Sequence, residues 1–144
     1  MKHRLFRHLL TGGDSEAEAV YRWHIERRSG LRMKAGLATD KWKLTIDDYV
    51  RSCIALLASM TAAGFRNDGA IPVDPDGELL GGAHRLACAI ALELDAVVIS
   101  RQPMYAWAPP WGRDWFVAAG MSRHQLARLD RDWSNLNDQS GSTA

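Results

Sequence analysis

Little in this chain can be assigned to redox or metal chemistry, because there are only two cysteines, Cys53 and Cys88, in 144 residues. Both fall inside apolar helical patterns, with no CxxC spacing and no nearby histidine at ligand distance, which argues against a zinc site or a disulfide framework. They read as buried thiols of a reducing compartment, and the expected localisation is cytoplasmic. A long hydrophobic run is also missing. The apolar stretch Leu5 to Leu10 is interrupted by Arg7 and His8, too short and too charged for a signal peptide, and no run reaches the roughly 18 residues of a membrane span. A charge of one sign is absent as well: 18 Lys and Arg stand against 17 Asp and Glu, so the whole chain carries no footprint of a dedicated nucleic-acid binder. Nucleic acid remains possible only through a local patch. The histidines His24, His84 and His124 are too scattered to define a metal cluster, and no transition metal is expected.

What is present suits one ordinary core, 47% of the residues being hydrophobic. The expectation is a single α+β domain over 1–133, a small mixed sheet packed with helices and with extra helices at both ends. A polar, frayed tail is expected over 134–144. Asp14 and Ser15 precede a helical stripe of Ala17, Val20, Tyr21, Trp23 and Ile25 in residues 14–28. From Ser29 to Lys43 the glycines and lack of period predict a loop. Arg22 to Lys43 holds seven Lys and Arg against Glu26 and Asp40, with Trp23 and Trp42 interleaved. Such a segment could track a nucleic-acid backbone, attract an anionic substrate or form a solvated basic surface.

Thr45 is placed to cap a helix whose first turn holds Asp47 and Asp48, and Ile46, Tyr49, Val50, Cys53, Ile54, Leu57 and Met60 recur at steps of three and four. Gly64 ends it. Ala70 to Asp74, the turn Asp74-Pro75-Asp76-Gly77 and Glu78-Leu79-Leu80 read as strand, tight turn and strand. His84 to Leu94 is apolar almost all round, and Ala96 to Ile99 is a short β-branched strand. Between Met104 and Trp115 an aromatic loop carries Tyr105, Trp107, Trp111, Pro109 and Pro110, suited to stacking on a base, enclosing a substrate or covering the core. A helix through Phe116 closes at Gly120, and Ser122 caps another with Leu126 and Leu129 on one face.

The chemistry concentrates at Gly81-Gly82-Ala83-His84-Arg85. Two glycines between a strand and a helix let the backbone approach an anion while the free N–H groups of the first helical turn point at it. His84 adds a donor of tunable charge, and Arg85 a permanently charged fork suited to phosphate oxygens. A turn of this kind can also be a plain connection.

The wider pattern, Ile71-Pro72-Val73-Asp74, Asp76-Gly77 and Leu79 to Ala87, resembles the ParB/sulfiredoxin superfamily, marked by a strand, a turn and a D/G-G-x-H-R box opening a helix. Upstream, Leu57-Ala58-Ser59-Met60 before Gly64-Phe65 is similar to that superfamily's helix ending in a small hydroxyl residue. The likeness spans Leu57 to Arg101. It implies nucleotide phosphates bound by Gly81, Gly82, Ala83, His84 and Arg85 with Ser59 nearby. Ala83 stands where sulfiredoxins carry their nucleophilic cysteine, which argues against sulfinic acid repair. The short Trp-rich remainder argues against the partitioning branch, whose members add a helix-turn-helix and bind CTP. The branch of kinases acting on free serine or a similar small alcohol loses nothing from Ala83. It implies ATP and Mg2+, with His84 at the transferring phosphate and an N-terminal carboxylate, here Glu26, as base. Glu26 could equally pair with Arg22 one turn away. Asp74 and Asp76 could hold magnesium or simply build their turn, and the turn alone accounts for Asp76. Two further expectations stay open beside the kinase: a non-catalytic nucleotide- or DNA-binding module, and a degenerate accessory domain of a biosynthetic pathway.

Overall fold

The computed structural model describes residues 1–34, 43–66, 69–105 and 112–140. The chain falls into two compact units, Met1–Ala106 and Trp107–Ala144. Among the described residues helices dominate, with a small two-stranded sheet, so the fold is broadly α+β.

In the first unit α1 (Lys2–Thr11) forms where Leu5, Phe6 and Leu9 share one side of a short helix. Gly12 at φ 69° ends it, its N–H donating to the His8 carbonyl at 2.7 Å. The next residues are tied back by Arg4, 5% exposed, whose Nε and Nη2 donate to Asp14 Oδ2 at 2.9 and 2.7 Å. α2 (Ala17–Lys34) buries Ala17, Val20, Tyr21, His24 and Ile25, a stripe with the period of a helix. It runs on through Ser29 and Gly30, both buried, into the stretch expected to be loop. A helical glycine costs about 1 kcal/mol relative to alanine, and burial of this segment outweighs it. The rest of that basic segment, with Trp42, lies outside the described residues.

α3 (Ile46–Ala63) is bounded as its sequence predicts. Thr45 and Asp48 form a capping box: the Asp48 N–H donates to Thr45 Oγ1 at 3.2 Å, and the Thr45 N–H to Asp48 Oδ2 at 2.8 Å. Hydrogen bonds from the Thr45 hydroxyl and amide hold the Asp48 carboxyl well below the usual carboxylate range. Gly64 caps the other end, donating to the Met60 carbonyl at 2.9 Å.

β1 (Ile71–Val73) and β2 (Ile99–Arg101) pair in parallel, Ile71 opposite Ile99 and Val73 opposite Arg101. The crossover between them carries α4 (Ala83–Ala91), capped at Leu92 and followed by Glu93 at φ 55°. The strand expected over 78–80 reduces to a single antiparallel bridge between Leu79 and Val73. The strand expected over 96–99 begins only at Ile99, because its partner β1 is three residues long and sets which residues pair. Leu5, Phe6, Tyr21, Ile25, Tyr49, Cys53 and Cys88 meet where α1, α2, α3 and α4 pack together, and this is the unit's core.

The second unit contains α5 (Arg113–Ala118) and α6 (Arg123–Ser140). Gly120, at φ 84°, separates them, and the Ser122 hydroxyl accepts the Gln125 N–H at 3.2 Å to cap α6. Arg113 pairs with Asp130 at 3.0 Å across the two helices. α6 continues past Ser134, where the sequence turns polar, to Ser140. The aromatic stretch at 106–111 lies outside the described residues. Among the described residues no helix is long and apolar enough to cross a membrane.

Candidate functional site

The chain approaches the glycine turn beside β1: the Leu80 N–H donates to the Pro72 carbonyl at 3.0 Å, and the direction then breaks at Gly81 and Gly82. Gly82 takes φ 70° and ψ 10°, the left-handed region, and α4 starts at the next residue. The Leu86 N–H is the first to close onto the helix, at the Gly82 carbonyl. Among the described residues no side chain caps this end and no acidic residue stands in its first turn, where a helix's amides have no i−4 carbonyl of their own helix to reach. Those are the amides an anion at this end would meet.

His84 and Arg85 leave the same turn for different surroundings. His84 is half-buried against α2, its Nε2 hydrogen-bonded to Tyr21 Oη at 2.8 Å with the rings edge to face, 79° apart in plane. Tyr21 is fully buried and accepts a further hydrogen bond from Cys53 Sγ at 3.4 Å. Burial raises the Tyr21 phenol far above its ordinary value, with Cys53 adding to the effect, and burial also raises the Cys53 thiol. Both groups keep their protons. Arg85, also half-buried, donates through Nη1 to the Gly69 carbonyl. Its guanidinium lies so close to Gly82 that a Cβ there would stand 3.2 Å from Nη2.

A cleft of about 110 Å³ opens beside Arg85, walled by Ser59, Met60, Phe65, Arg66 and Gly69. Ser59 and Arg85 line the same cleft, whereas Gly81, Gly82, Ala83 and His84 are not among its lining residues. The volume is below the 300–1,000 Å³ typical of a site enclosing a whole small molecule. It is too small to enclose a nucleoside. Arg66, for which no role is expected from the sequence, also lines this cleft; its only signal is a basic residue after the helix-ending glycine.

The other two candidates stand elsewhere. Asp74 is 3% exposed, and its Oδ1 accepts the N–H groups of Asp76 and Glu78 at 2.9 and 2.8 Å, closing the turn at Gly77. Magnesium is usually held through one or two carboxylates together with substrate phosphates. Asp74 is committed to its turn and gives that expectation no support; among the described residues no three His, Cys, Asp or Glu side chains gather as a metal site. Glu26 is exposed on α2, about 140° around the helix from Tyr21 at 3.6 residues per turn. The residue of α2 that reaches the box is Tyr21. Arg22, the expected partner of Glu26, pairs instead with Glu18 and Asp47 at 2.7 and 2.6 Å.

Neither family models, curated proteins nor solved structures give a match to this chain.

Proposed function

We propose that the chain binds a nucleotide through the Gly81–Arg85 turn and transfers its terminal phosphoryl group to the hydroxyl of a small metabolite. The observation carrying this is the junction at Gly82: a left-handed glycine opens α4, and Arg85 in the helix's first turn lines a cleft of about 110 Å³ with Ser59 and Arg66. In the reaction the bond from the terminal phosphorus to the leaving nucleotide oxygen breaks, and a bond to the acceptor oxygen forms. The acceptor's proton passes to a base, for which the superfamily likeness nominates Glu26. The protein's contribution is positioning and charge neutralisation, which dominate phosphoryl transfer. Arg85 offsets phosphate charge, and the first-turn amides of α4 favour an anion held at the turn itself. Magnesium, when bound with the nucleotide, would neutralise further charge; no step here depends on it.

A second reading, nucleotide binding without turnover, draws on the placement of Glu26 on an exposed part of α2 away from the face that meets His84. One experiment separates the two. The protein is incubated with ATP labelled at the terminal phosphate, magnesium and a panel of amino acids and sugars, alongside calorimetric titration of ATP. A labelled small product supports the kinase; binding without product supports the module; no binding at all removes the nucleotide from both.

A further inference from the structure

Three side chains from three helices form a directed chain: Cys53 Sγ on α3 donates to Tyr21 Oη on α2 at 3.4 Å, and Tyr21 Oη lies 2.8 Å from Nε2 of His84 on α4. Tyr21 has one hydrogen, and its oxygen already accepts from the thiol. If that hydrogen goes to His84, both donors in the chain are used and each acceptor is met. The opposite direction would turn the thiol from donor to acceptor, and sulfur is a weak acceptor. Tyr21 is fully buried, so no water competes for its hydroxyl.

We propose that Tyr21 is a positioning residue for His84, holding Nε2 as an acceptor so that the neutral ring carries its hydrogen on Nδ1. Were His84 to meet an anion at the Gly81–Arg85 turn, it would do so as a donor only through Nδ1–H. This consequence rests on the phosphate-binding reading, whereas the setting of the tautomer does not. Neutral histidine in water favours the hydrogen on Nε2, so the protein imposes the less common form and removes the need to select it when an anion binds.

The test uses the full chain labelled with 15N-histidine, with His84→Ala to assign the ring. Two-bond 1H–15N spectra distinguish a protonated from an unprotonated ring nitrogen. In the wild type His84 should show protonated Nδ1 and unprotonated Nε2, and Tyr21→Phe should shift the ring toward protonated Nε2. Protonated Nε2 in the wild type overturns the proposal by itself, even should Tyr21→Phe fail to fold; so does an unchanged pattern in folded Tyr21→Phe. Calorimetry with ATP separates this from the functional reading. Tyr21→Phe should weaken ATP roughly three- to tenfold, as expected for loss of one neutral hydrogen bond. If His84→Ala weakens ATP and Tyr21→Phe does not, the positioning role is overturned while nucleotide binding stands. If the tautomer switches but neither variant changes ATP affinity, the contact stands and His84 leaves the nucleotide site.

Discussion

The guanidinium of Arg85 turns back past the start of its own helix to donate to the carbonyl of Gly69, so one side chain both walls the cleft and ties α4 to the segment entering β1. Removing it should therefore show in two measurements. Arg85→Ala should lower stability by about 1–2 kcal/mol, the usual range for a buried hydrogen bond left half-made. In calorimetric titration it should also weaken ATP at least tenfold, since charge-assisted contacts contribute about 1.5–3 kcal/mol. Arg85→Lys keeps the charge without the planar fork and should recover only part of the affinity. Unchanged affinity in a folded Arg85→Ala protein would take the turn out of the mechanism.

Gly82 and Gly77 both have positive φ, 70° and 92°, yet a methyl group would meet different surroundings at each. At Gly82 it would stand 3.2 Å from Arg85 Nη2 and 3.3 Å from Ile71 Cγ2; at Gly77 nothing lies within 4 Å. Gly77→Ala should lose about 1–2 kcal/mol from backbone strain alone. Gly82→Ala should lose more and weaken ATP as well, because Arg85 must move. Urea midpoints for the pair decide this, and equal losses would show that the Gly82 junction is not tightly packed.

Much of this was readable from the sequence where the determinants are local. Thr45 and Asp48 are three residues apart and build their box without help from elsewhere, and Gly82 needs only its own backbone freedom to start α4. What depends on distant partners was not readable. Leu5, Phe6 and Leu9 are too few to establish a helical period, and α1 is anchored by Arg4 finding Asp14. Ser29 and Gly30 look like a break until their burial is known. Which β-branched residues of 96–101 become strand depends on pairing with β1. Tyr21 and His84 are 63 residues apart, and nothing in the local pattern around either one announces the other.

Neither thiol should react in the folded protein at neutral pH. Cys88 is fully buried and burial pushes its thiol up to about 11, while Cys53 is raised by burial and committed to Tyr21. Thiolate is the reactive form and access is closed. A disulfide-exchange reagent should titrate both cysteines in urea and neither without it. Cys88→Ala should reduce stability by about 1 kcal/mol or somewhat more through the small cavity it leaves. A fast-reacting thiol in the native protein would place one cysteine at an accessible site.

His24 makes a prediction about acid. It is 4% exposed on α2, and burial, followed by the positive charges of Lys2 and Arg28, the chain's amino group and His84, lowers it from an ordinary 6.5 to about 3. The folded value lies below the unfolded one, so between these two pH values the unfolded chain binds the extra proton. Stability must then rise with pH through that window, being complete above about 6.5 and lost progressively as pH falls toward about 3. Asp48 acts in the same direction but only near and below its ordinary 3.8, so it does not account for the upper part of the window. Lys2, lowered by burial and by Arg28 to about 8 from 10.5, also makes stability rise with pH, but in a separate alkaline range. His24→Gln should therefore flatten the dependence of the urea midpoint on pH between about 6.5 and 4 while leaving the alkaline slope in place. At constant ionic strength, parallel curves for wild type and His24→Gln would mean that His24 takes up its proton as readily folded as unfolded, contrary to its burial among cations.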